Sequence, residues 1–425
     1  MTERLLIVGA SQAGIQVAVS LREYGFAGAI TLVGYETGQP YQRPPLSKEF
    51  LTGEADLQSL MFRNTDFWAE QGIDLVSGER ILAISMDEAG TGVGKTGQGR
   101  VVEFDRVVLA TGARPRRLIV PGANLDGVAY LRSVNDARSL RRRLLESQRV
   151  VVIGGGFIGL EAAAACRGQG KSVAVVEAAE RLMPRSVAPV VSEFYRRAHE
   201  RRDVEVRTGT GVVGIRGKNG RVTAVELSDG TGLDADLVLV GIGVIPRTEL
   251  AEQLGLEVDG GIVVDEFARA SRPGVVAAGD CTVQPNPLTG EGRVRLESVQ
   301  SAVAQARVAA ATLAGKAQRN MEVPWFWSDQ YDLKLQIAGL TAGYDDSVIR
   351  GDVDEEKFAV LYYRRGRLVG VDAVNRPGDY LVVRQALARG GTIPPDRVGD
   401  ESVKLKDLVV TQSPTAAQDA TAAAG

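Results

Sequence analysis

The chain has 425 residues, of which 44% are hydrophobic, so it is long enough for two or three domains with cores of their own. Its 50 basic and 53 acidic side chains give a net charge of −3. This balance excludes a global basic field for nucleic acid and the acidic excess that is typical of disorder.

The scarce residue types narrow the chemistry further. Cys166 and Cys281 lie far apart and outside any C-x-x-C motif, so neither a disulfide framework nor a metal site is predicted. The single histidine, His199, lies in the stretch RRAHERRD and is predicted to be a solvated helix residue, which argues against histidine acid/base catalysis. No apolar run reaches the roughly 18 residues of a membrane span. With no signal peptide at the N-terminus, a cytoplasmic protein is expected.

The N-terminal segment has the order strand, glycine turn, helix, strand, acid. A strand is predicted over 5–8, followed by GASQAG, an amphipathic helix to about residue 24, a second strand over 30–33, and then Glu36. Gly9 and Gly14 occupy the outer positions of a dinucleotide fingerprint, whereas the middle position is Ser11. A serine is compatible with this role if its side chain turns away from the phosphates.

The segment 41–51 reads YQRPPLSKEFL, and its two prolines stiffen the backbone. Ser47 is predicted to cap a helix that starts near Lys48. Lys48 is either a solvated lysine or a cation placed against a flavin ring.

Residues 88–99 contain A-x-x-x-x-G-K-T, a relaxed form of a phosphate-binding loop. That motif needs a helix behind its lysine, here Lys95, and the residues that follow favour a strand. A glycine-rich hairpin loop is therefore predicted in preference to an ATPase site.

The stretch 149–177, RVVVIGGGFIGLEAAAACRGQGKSVAVVE, repeats the same order with a complete fingerprint at Gly154, Gly156 and Gly159. A strand over 149–153 leads into the turn, and the helix that follows directs its N-terminal N–H groups at a pyrophosphate. The second strand ends in Glu177, at the spacing of a ribose-binding acid. A carboxylate there favours NADH over NADPH, although Lys171 and Arg181 lie nearby in the sequence.

Two further segments match each other. DRVVLATGARPR (105–116) and DLVLVGIGVIPR (236–247) follow the two fingerprints at similar places, which indicates an internal duplication. Residues 200–236 are predicted to form a small appended hairpin. Two dinucleotide units in one chain point to hydride transfer from nicotinamide to flavin.

The last third changes character. A buried strand over 274–281 ends near Asp280, which either binds hydroxyls or caps a turn, and a long helix follows over 295–315. From about residue 321 a separate α+β domain is expected, in which Trp325 and Trp327 share one face of a strand. Residues 411–425 are expected to be a disordered tail.

Together these motifs resemble the FAD-dependent, NADH-using ferredoxin reductases of bacterial oxygenase systems. The stretches that carry the resemblance are RPPLSK (43–48), ATG (110–112), VVIGGGFIGLE (151–161), GIGVIP (241–246), GDC (279–281), ESV (297–299) and PWFWSDQY (324–331). The resemblance implies an α/β fold like that of glutathione reductase, with two Rossmann-like domains. Its implied domains are FAD-binding 1–111 and 246–320, NAD-binding 112–245, and C-terminal α+β 321–410.

The resemblance also implies site residues. Lys48 and Glu161 form the pair beside the flavin, and Trp327 is the ring that lies by it. The remaining FAD contacts are Gly9, Ser11, Ala13, Gly14, Glu36, Arg43, Ile81, Ala110, Thr111, Gly112, Arg132, Asp280 and Val299, and those of NADH are Gly154, Gly156, Ile158, Gly159, Glu177 and Gly241.

The activity implied is transfer of hydride from NADH to FAD and of single electrons to a small iron–sulfur ferredoxin. No nucleophile is required, in keeping with the absence of a C-x-x-C motif. Since ferredoxins are usually acidic, Arg63, Arg307 and Lys334 are the expected docking residues. Oxygen, quinone or rubredoxin as acceptor, and a flavin-based redox sensor, remain alternatives, and a monomer or a dimer is equally compatible with the sequence.

Overall fold

A computed structural model describes residues 3–411 of the chain. They form two compact units. The first comprises the chain up to Glu180 together with Arg202–Met321, and the second comprises Arg181–Arg201 together with the chain from Glu322 onward. Of the predicted tail, only Thr411 falls within the described residues.

The strands of the first unit are, in chain order, Arg4–Val8 (β1), Ala29–Gly34 (β2), Ile73–Ser77 (β3), Ile81–Met86 (β4), Gly92–Thr96 (β5), Val101–Phe104 (β6), Arg106–Leu109 (β7), Ala113–Pro115 (β8), Val128–Tyr130 (β9), Arg149–Ile153 (β10), Ser172–Val176 (β11), Val204–Arg207 (β12), Val212–Lys218 (β13), Arg221–Leu227 (β14), Gly232–Asp234 (β15), Leu237–Val240 (β16), Val244–Pro246 (β17), Ile262–Val263 (β18), Val275–Ala277 (β19), Thr282–Pro285 (β20) and Arg293–Val294 (β21). Those of the second unit are Trp325–Gln330 (β22), Leu333–Gly339 (β23), Asp346–Asp352 (β24), Lys357–Arg364 (β25) and Arg367–Val374 (β26).

The α-helices are Gln12–Glu23 (α1), Glu49–Thr52 (α2), Leu57–Leu60 (α3), Phe67–Glu70 (α4), Val134–Glu146 (α5), Phe157–Gly168 (α6), Pro189–Glu200 (α7), Glu249–Gln253 (α8), Val299–Leu313 (α9), Pro377–Ala388 (α10) and Pro395–Val398 (α11). Of these, α7, α10 and α11 belong to the second unit. Short 3₁₀ turns form at Pro44–Ser47 and Leu405–Leu408. No helix within the described residues is long and apolar enough to cross a membrane.

The first unit contains the duplication that the sequence predicts. One parallel sheet has the order β19-β7-β1-β2-β3, and the other has the order β9-β16-β10-β11-β12. The chain also forms an antiparallel three-stranded insertion next to each sheet, β4-β5-β6 after β3 in the first and β13-β14-β15 after β12 in the second. The segments 105–116 and 236–247 therefore occupy equivalent positions, and their ends pair with each other as the ribbon β8–β17.

Helices cover the sheets because the central strands are apolar on both faces. In the first sheet, α1 and α9 pack on one side around Leu5, Ile7 and Ala306, and the insertion packs on the other around Leu6 and Phe104. The second unit is an antiparallel sheet of order β22-β23-β26-β25-β24, with α10 packed on it through Tyr380 and Val383.

Three local predictions are wrong, namely those for Ser47, for the glycine-rich loop and for His199. Ser47 does not cap the helix at 49, whose first turn follows Lys48, and its hydroxyl instead donates to Glu161. Residues 92–96 are not a loop but the central strand β5 of the first insertion. Its glycines permit close packing, since a Cβ on Gly94 would lie 2.9 Å from the side chain of Leu6. The strand β6 follows, so no helix stands behind Lys95.

His199 is also not solvated. It is fully buried on α7, and its Nε2 lies 2.9 Å from Oε1 of Gln330. The buried positions 191, 194, 195, 198 and 199 follow helical spacing, so one face of α7 packs while its charged residues pair on the other. The surrounding charges obscured this apolar periodicity.

Candidate active site

The first dinucleotide turn follows β1. Gly9 has φ +117, and a Cβ there would lie 2.1 Å from the carbonyl oxygen of Ala110. A Cβ on Gly14 would lie 1.9 Å from the oxygen of Gly9. Both positions therefore require glycine, and α1 begins directly after the turn with Ser11 as its N-cap residue.

The second turn reproduces these contacts. Gly154 has φ +111, and a Cβ there would lie 2.4 Å from the oxygen of Gly241, while one on Gly159 would lie 2.1 Å from the oxygen of Gly154. At the middle position, a Cβ on Gly156 would meet no atom within 4 Å. This free space lies beside the N-terminus of α6, where a pyrophosphate would bind.

Arg43 connects the predicted FAD residues around the first turn. Its Nε donates to the Ser11 hydroxyl at 3.2 Å, its Nη1 donates to the carbonyl of Arg132 at 2.5 Å, and its Nη2 forms an ion pair with Glu36. Tyr41 also donates to Glu36, and burial raises the pKa of Tyr41, so this phenol stays protonated.

Asp280 follows β19 and extends this group. Its Oδ2 lies 3.4 Å from Nη2 of Arg132, next to Gly112, whose φ is +65. The neighbouring Gly279 donates its N–H to Oε1 of Gln305 at 2.7 Å, and a Cβ there would lie 3.1 Å from that of Ala13.

Glu177 directly follows β11. Its Oε2 accepts the N–H of Gly155 at 2.7 Å and its Oε1 accepts the N–H of Ala179 at 2.8 Å. Backbone groups therefore hold the carboxylate beside the second glycine turn, where a ribose would lie.

The predicted pair of Lys48 and Glu161 is present, with 3.1 Å between Nζ and Oε1. Glu161 is only 6% exposed, and its Oε2 accepts the Ser47 hydroxyl at 2.7 Å. Since Glu161 belongs to α6 and Lys48 follows the 3₁₀ turn 44–47, the pair joins the second dinucleotide turn to the segment that follows the first.

Four other predicted cofactor residues are described by their burial or by a contact outside the hydrogen-bonded groups above. Ile81 is buried in the core at 2% exposure, and the Thr111 hydroxyl donates to the carbonyl of Arg247. Ile158 is 47% exposed after the second turn, and Val299 is half-buried at the start of α9.

Trp327 and Lys334 lie in the second unit. The Trp325 and Trp327 rings are 6.0 Å apart, as residues on one strand face should be. Arg63 stacks over Phe67 at 5.1 Å, and both Lys334 and Arg307 are exposed.

Sequence reasoning missed the roles of Ser47, Tyr41 and Gln305. Ser47 lies 114 residues from its partner Glu161, so no local pattern connects them. Gln305 lies within the predicted helix 295–315, where no sequence pattern distinguishes it; in the structure it is 3% exposed and its Oε1 accepts from the N–H of Gly279 and the hydroxyl of Thr282.

These residues fit two dinucleotides. The first glycine of each turn packs against the backbone that follows a neighbouring strand, at Ala110 after β7 and at Gly241 after β16. Each turn precedes a helix, α1 or α6. An acid follows the next strand in each unit: Glu36 accepts an O–H and Glu177 accepts an N–H.

Neither cysteine belongs to a reactive pair: Cys166 is buried on α6, and Cys281 follows Asp280 with its Sγ 3.5 Å from the carbonyl oxygens of Leu109 and Ala278. Burial raises the pKa of Cys166 to about 12 and also raises the pKa of Cys281, so both thiols stay protonated.

Comparison with known proteins agrees with this geometry. The family model "pyridine nucleotide-disulphide oxidoreductase" matches residues 3–306, and "reductase C-terminal" matches residues 325–409. The chain belongs to the pyridine nucleotide-disulphide oxidoreductase family. It is 45% identical to rhodocoxin reductase of Rhodococcus erythropolis, over 97% of this chain and 95% of that protein. It is 43% identical to putidaredoxin reductase of Pseudomonas putida, over 96% and 97%.

A solved covalent complex of putidaredoxin reductase with putidaredoxin is similar in structure, with a TM-score of 0.92 and 42% identity over 100% of this chain and 99% of that one. The predicted family resemblance, fold class and enzyme class are thereby confirmed. The chain is an FAD-binding oxidoreductase that uses NAD(P)H. The disulphide of the family name does not extend to this chain, whose two cysteines are free and buried.

Proposed function

We propose that the chain is an NADH-dependent ferredoxin reductase, which feeds electrons through a small iron–sulfur protein to an oxygenase such as a cytochrome P450. The observation that carries this is the buried Lys48–Glu161 pair, which joins two equivalent dinucleotide turns within one compact unit. The names of the full-length relatives support the choice of acceptor.

The first turn would hold FAD. Its pyrophosphate would lie against the N–H groups at the start of α1, with Glu36 toward the adenosine ribose and Asp280 and Arg132 toward the hydroxyl chain. Ala13, Ile81, Ala110, Thr111, Gly112 and Val299 complete the proposed contacts, and Trp327 is proposed as the ring beside the flavin. Bound FAD accepts two electrons as a hydride and releases them one at a time.

The second turn would hold NADH. The N–H groups at the start of α6 would bind its pyrophosphate, and Glu177 would bind its ribose. The carboxylate would repel the additional phosphate of NADPH. Arg181 would not compensate, because its guanidinium donates to Pro184, Val187 and Ser192 within its own segment.

Lys48 would supply positive charge beside the flavin, and Glu161 is the counter-ion of this nearly buried ammonium. The protein therefore contributes orientation and electrostatics, and neither a histidine nor a thiol is required.

The proposed domain division follows the strand order. β19 returns to the first sheet, which supports 1–111 and 246–320 as one FAD-binding domain, and β9–β12 with β16 support 112–245 as the NAD-binding domain. The C-terminal domain is 321–410, and Arg181–Arg201 packs with it in the second compact unit.

Anaerobic stopped-flow mixing with NADH and with NADPH tests the proposal. We expect NADH to bleach the flavin band rapidly and NADPH to do so far more slowly. In Glu177→Ala the KM for NADH should rise about tenfold and the preference over NADPH should shrink, because a charged hydrogen-bond acceptor is lost. Glu205→Ala is the control, since this exposed acid forms its ion pair with the neighbouring Arg207. A flavin that NADH leaves oxidised would refute the proposal.

The acceptor is tested separately, by comparing ferredoxin, rubredoxin, quinone and oxygen in steady state. Turnover should be fastest with the ferredoxin. Faster turnover with oxygen or quinone would instead support an NADH oxidase or quinone reductase.

A further inference from the structure

The buried carboxylate of Glu161 has a partner on each oxygen. Lys48 Nζ lies 3.1 Å from Oε1, and the Ser47 hydroxyl donates to Oε2 at 2.7 Å. Ser47 is 5% exposed and Glu161 is 6% exposed, so little water reaches this group. A hydroxyl that donates to a carboxylate at this distance makes a charge-assisted hydrogen bond.

The Ser47 hydroxyl donates to Glu161 and does not cap a helix. The following helix begins at Glu49 with Lys48 as its N-cap residue and without a side-chain cap. The prolines at 44 and 45 restrict the backbone of the turn in which Ser47 lies, and the hydroxyl also lies 3.4 Å from the carbonyl oxygen of Pro44. The hydroxyl is therefore placed on a rigid segment and directed at the carboxylate.

We infer that Ser47 is a positioning residue for hydride transfer: its hydroxyl holds the Glu161 carboxylate in the orientation that keeps Lys48 in place. The inference rests on the proposed function and extends it. A carboxylate held at one oxygen presents the other in a defined direction. Because Glu161 lies on the helix after the NADH turn, the same contact also fixes that helix against the flavin-side segment.

The test is the limiting rate of flavin reduction at saturating NADH in FAD-loaded protein. Ser47→Ala should reduce this rate about tenfold, the loss expected for a hydrogen bond to a charged group. The KM for NADH should change by less than about twofold, because Glu177 and its backbone donors are untouched. Ser47→Thr keeps a hydroxyl and should restore the rate to near that of the unmodified protein.

A merely structural serine provides the control. Ser192 is 2% exposed, lies in the second unit, and donates to the carbonyl of Leu182. Ser192→Ala should lower the melting temperature without changing the limiting rate. If Ser47→Ala does not fold, the nearly isosteric Ser47→Cys, a weak donor, should show the same slowing.

A double-mutant cycle with Glu161→Gln tests whether Ser47 acts through that carboxylate. In the Glu161→Gln background, Ser47→Ala should have little further effect on the limiting rate. Additive effects, or a normal rate in Ser47→Ala, would overturn the inference while the proposed function stands. If NADH does not reduce the flavin of the unmodified protein, the proposed function fails and this inference fails with it.

Discussion

Two buried carboxylates, those of Glu161 and Asp372, differ in how many of their oxygens have a hydrogen-bond or ion-pair partner. Glu161 has Lys48 on one oxygen and Ser47 on the other. Asp372, on β26, accepts the hydroxyl of Tyr362 at Oδ2, and its Oδ1 has no hydrogen-bond partner among residues 3–411. Burial raises the pKa of Asp372 to about 7, although the hydrogen bond from Tyr362 lowers it. A carboxyl that lacks a cation protonates more readily than one that has it.

This raised pKa predicts a pH-dependent stability. The unfolded pKa of an aspartate is about 3.9, so the favourable contribution is complete below pH 4 and is lost as pH rises through about 7. We expect the melting temperature of the FAD-loaded protein to fall between pH 5 and pH 8, by at least about 3 °C from this residue alone. In Asp372→Asn, which keeps an oxygen for Tyr362, the fall should be smaller. An unchanged pH profile in that variant would assign the effect to other groups.

At the level of elements, the sequence predicts the repeated units accurately. The predicted strand over 149–153 matches β10, and the helix and second strand predicted after it form as α6 and β11, because local apolar runs and glycines determine them. The contacts across the site were not predictable, since Ser47 and Glu161 are far apart in the chain. The burial of His199 was missed because α7 packs on a distant strand that its own charged sequence does not indicate.

The glycines of α6 give a matched test of the second turn. A Cβ on Gly159 would lie 2.1 Å from the backbone of Gly154, whereas one on Gly168, at the end of the same helix, would meet nothing within 4 Å. Gly159→Ala should displace the helix from the turn and raise the KM for NADH at least about tenfold, while FAD content stays normal. Gly168→Ala should leave both unchanged. Equal effects of the two substitutions would contradict a specific role for the turn.

At the scale of the whole molecule, the chain alternates between its two compact units. It leaves the first after Glu180, returns at Arg202 and leaves again after Met321. Both dinucleotide turns and the Lys48–Glu161 pair lie in the first unit, so the residues of the proposed hydride step belong to one compact unit. The proposed docking residues are divided, with Arg63 and Arg307 in the first unit and Lys334 in the second.

A net charge of −3 gives the protein no overall attraction for an acidic ferredoxin, so recognition must depend on local cations. Arg307→Glu should lower the second-order rate of ferredoxin reduction about tenfold at low salt, because it replaces attraction with repulsion in the encounter complex. The difference should shrink as ionic strength rises. Reduction of a small neutral dye should change little, since hydride transfer is unaffected. Arg142→Glu, an equally exposed arginine on α5, is the control for net charge. Equal losses with both acceptors, or in both variants, would remove Arg307 from the docking surface.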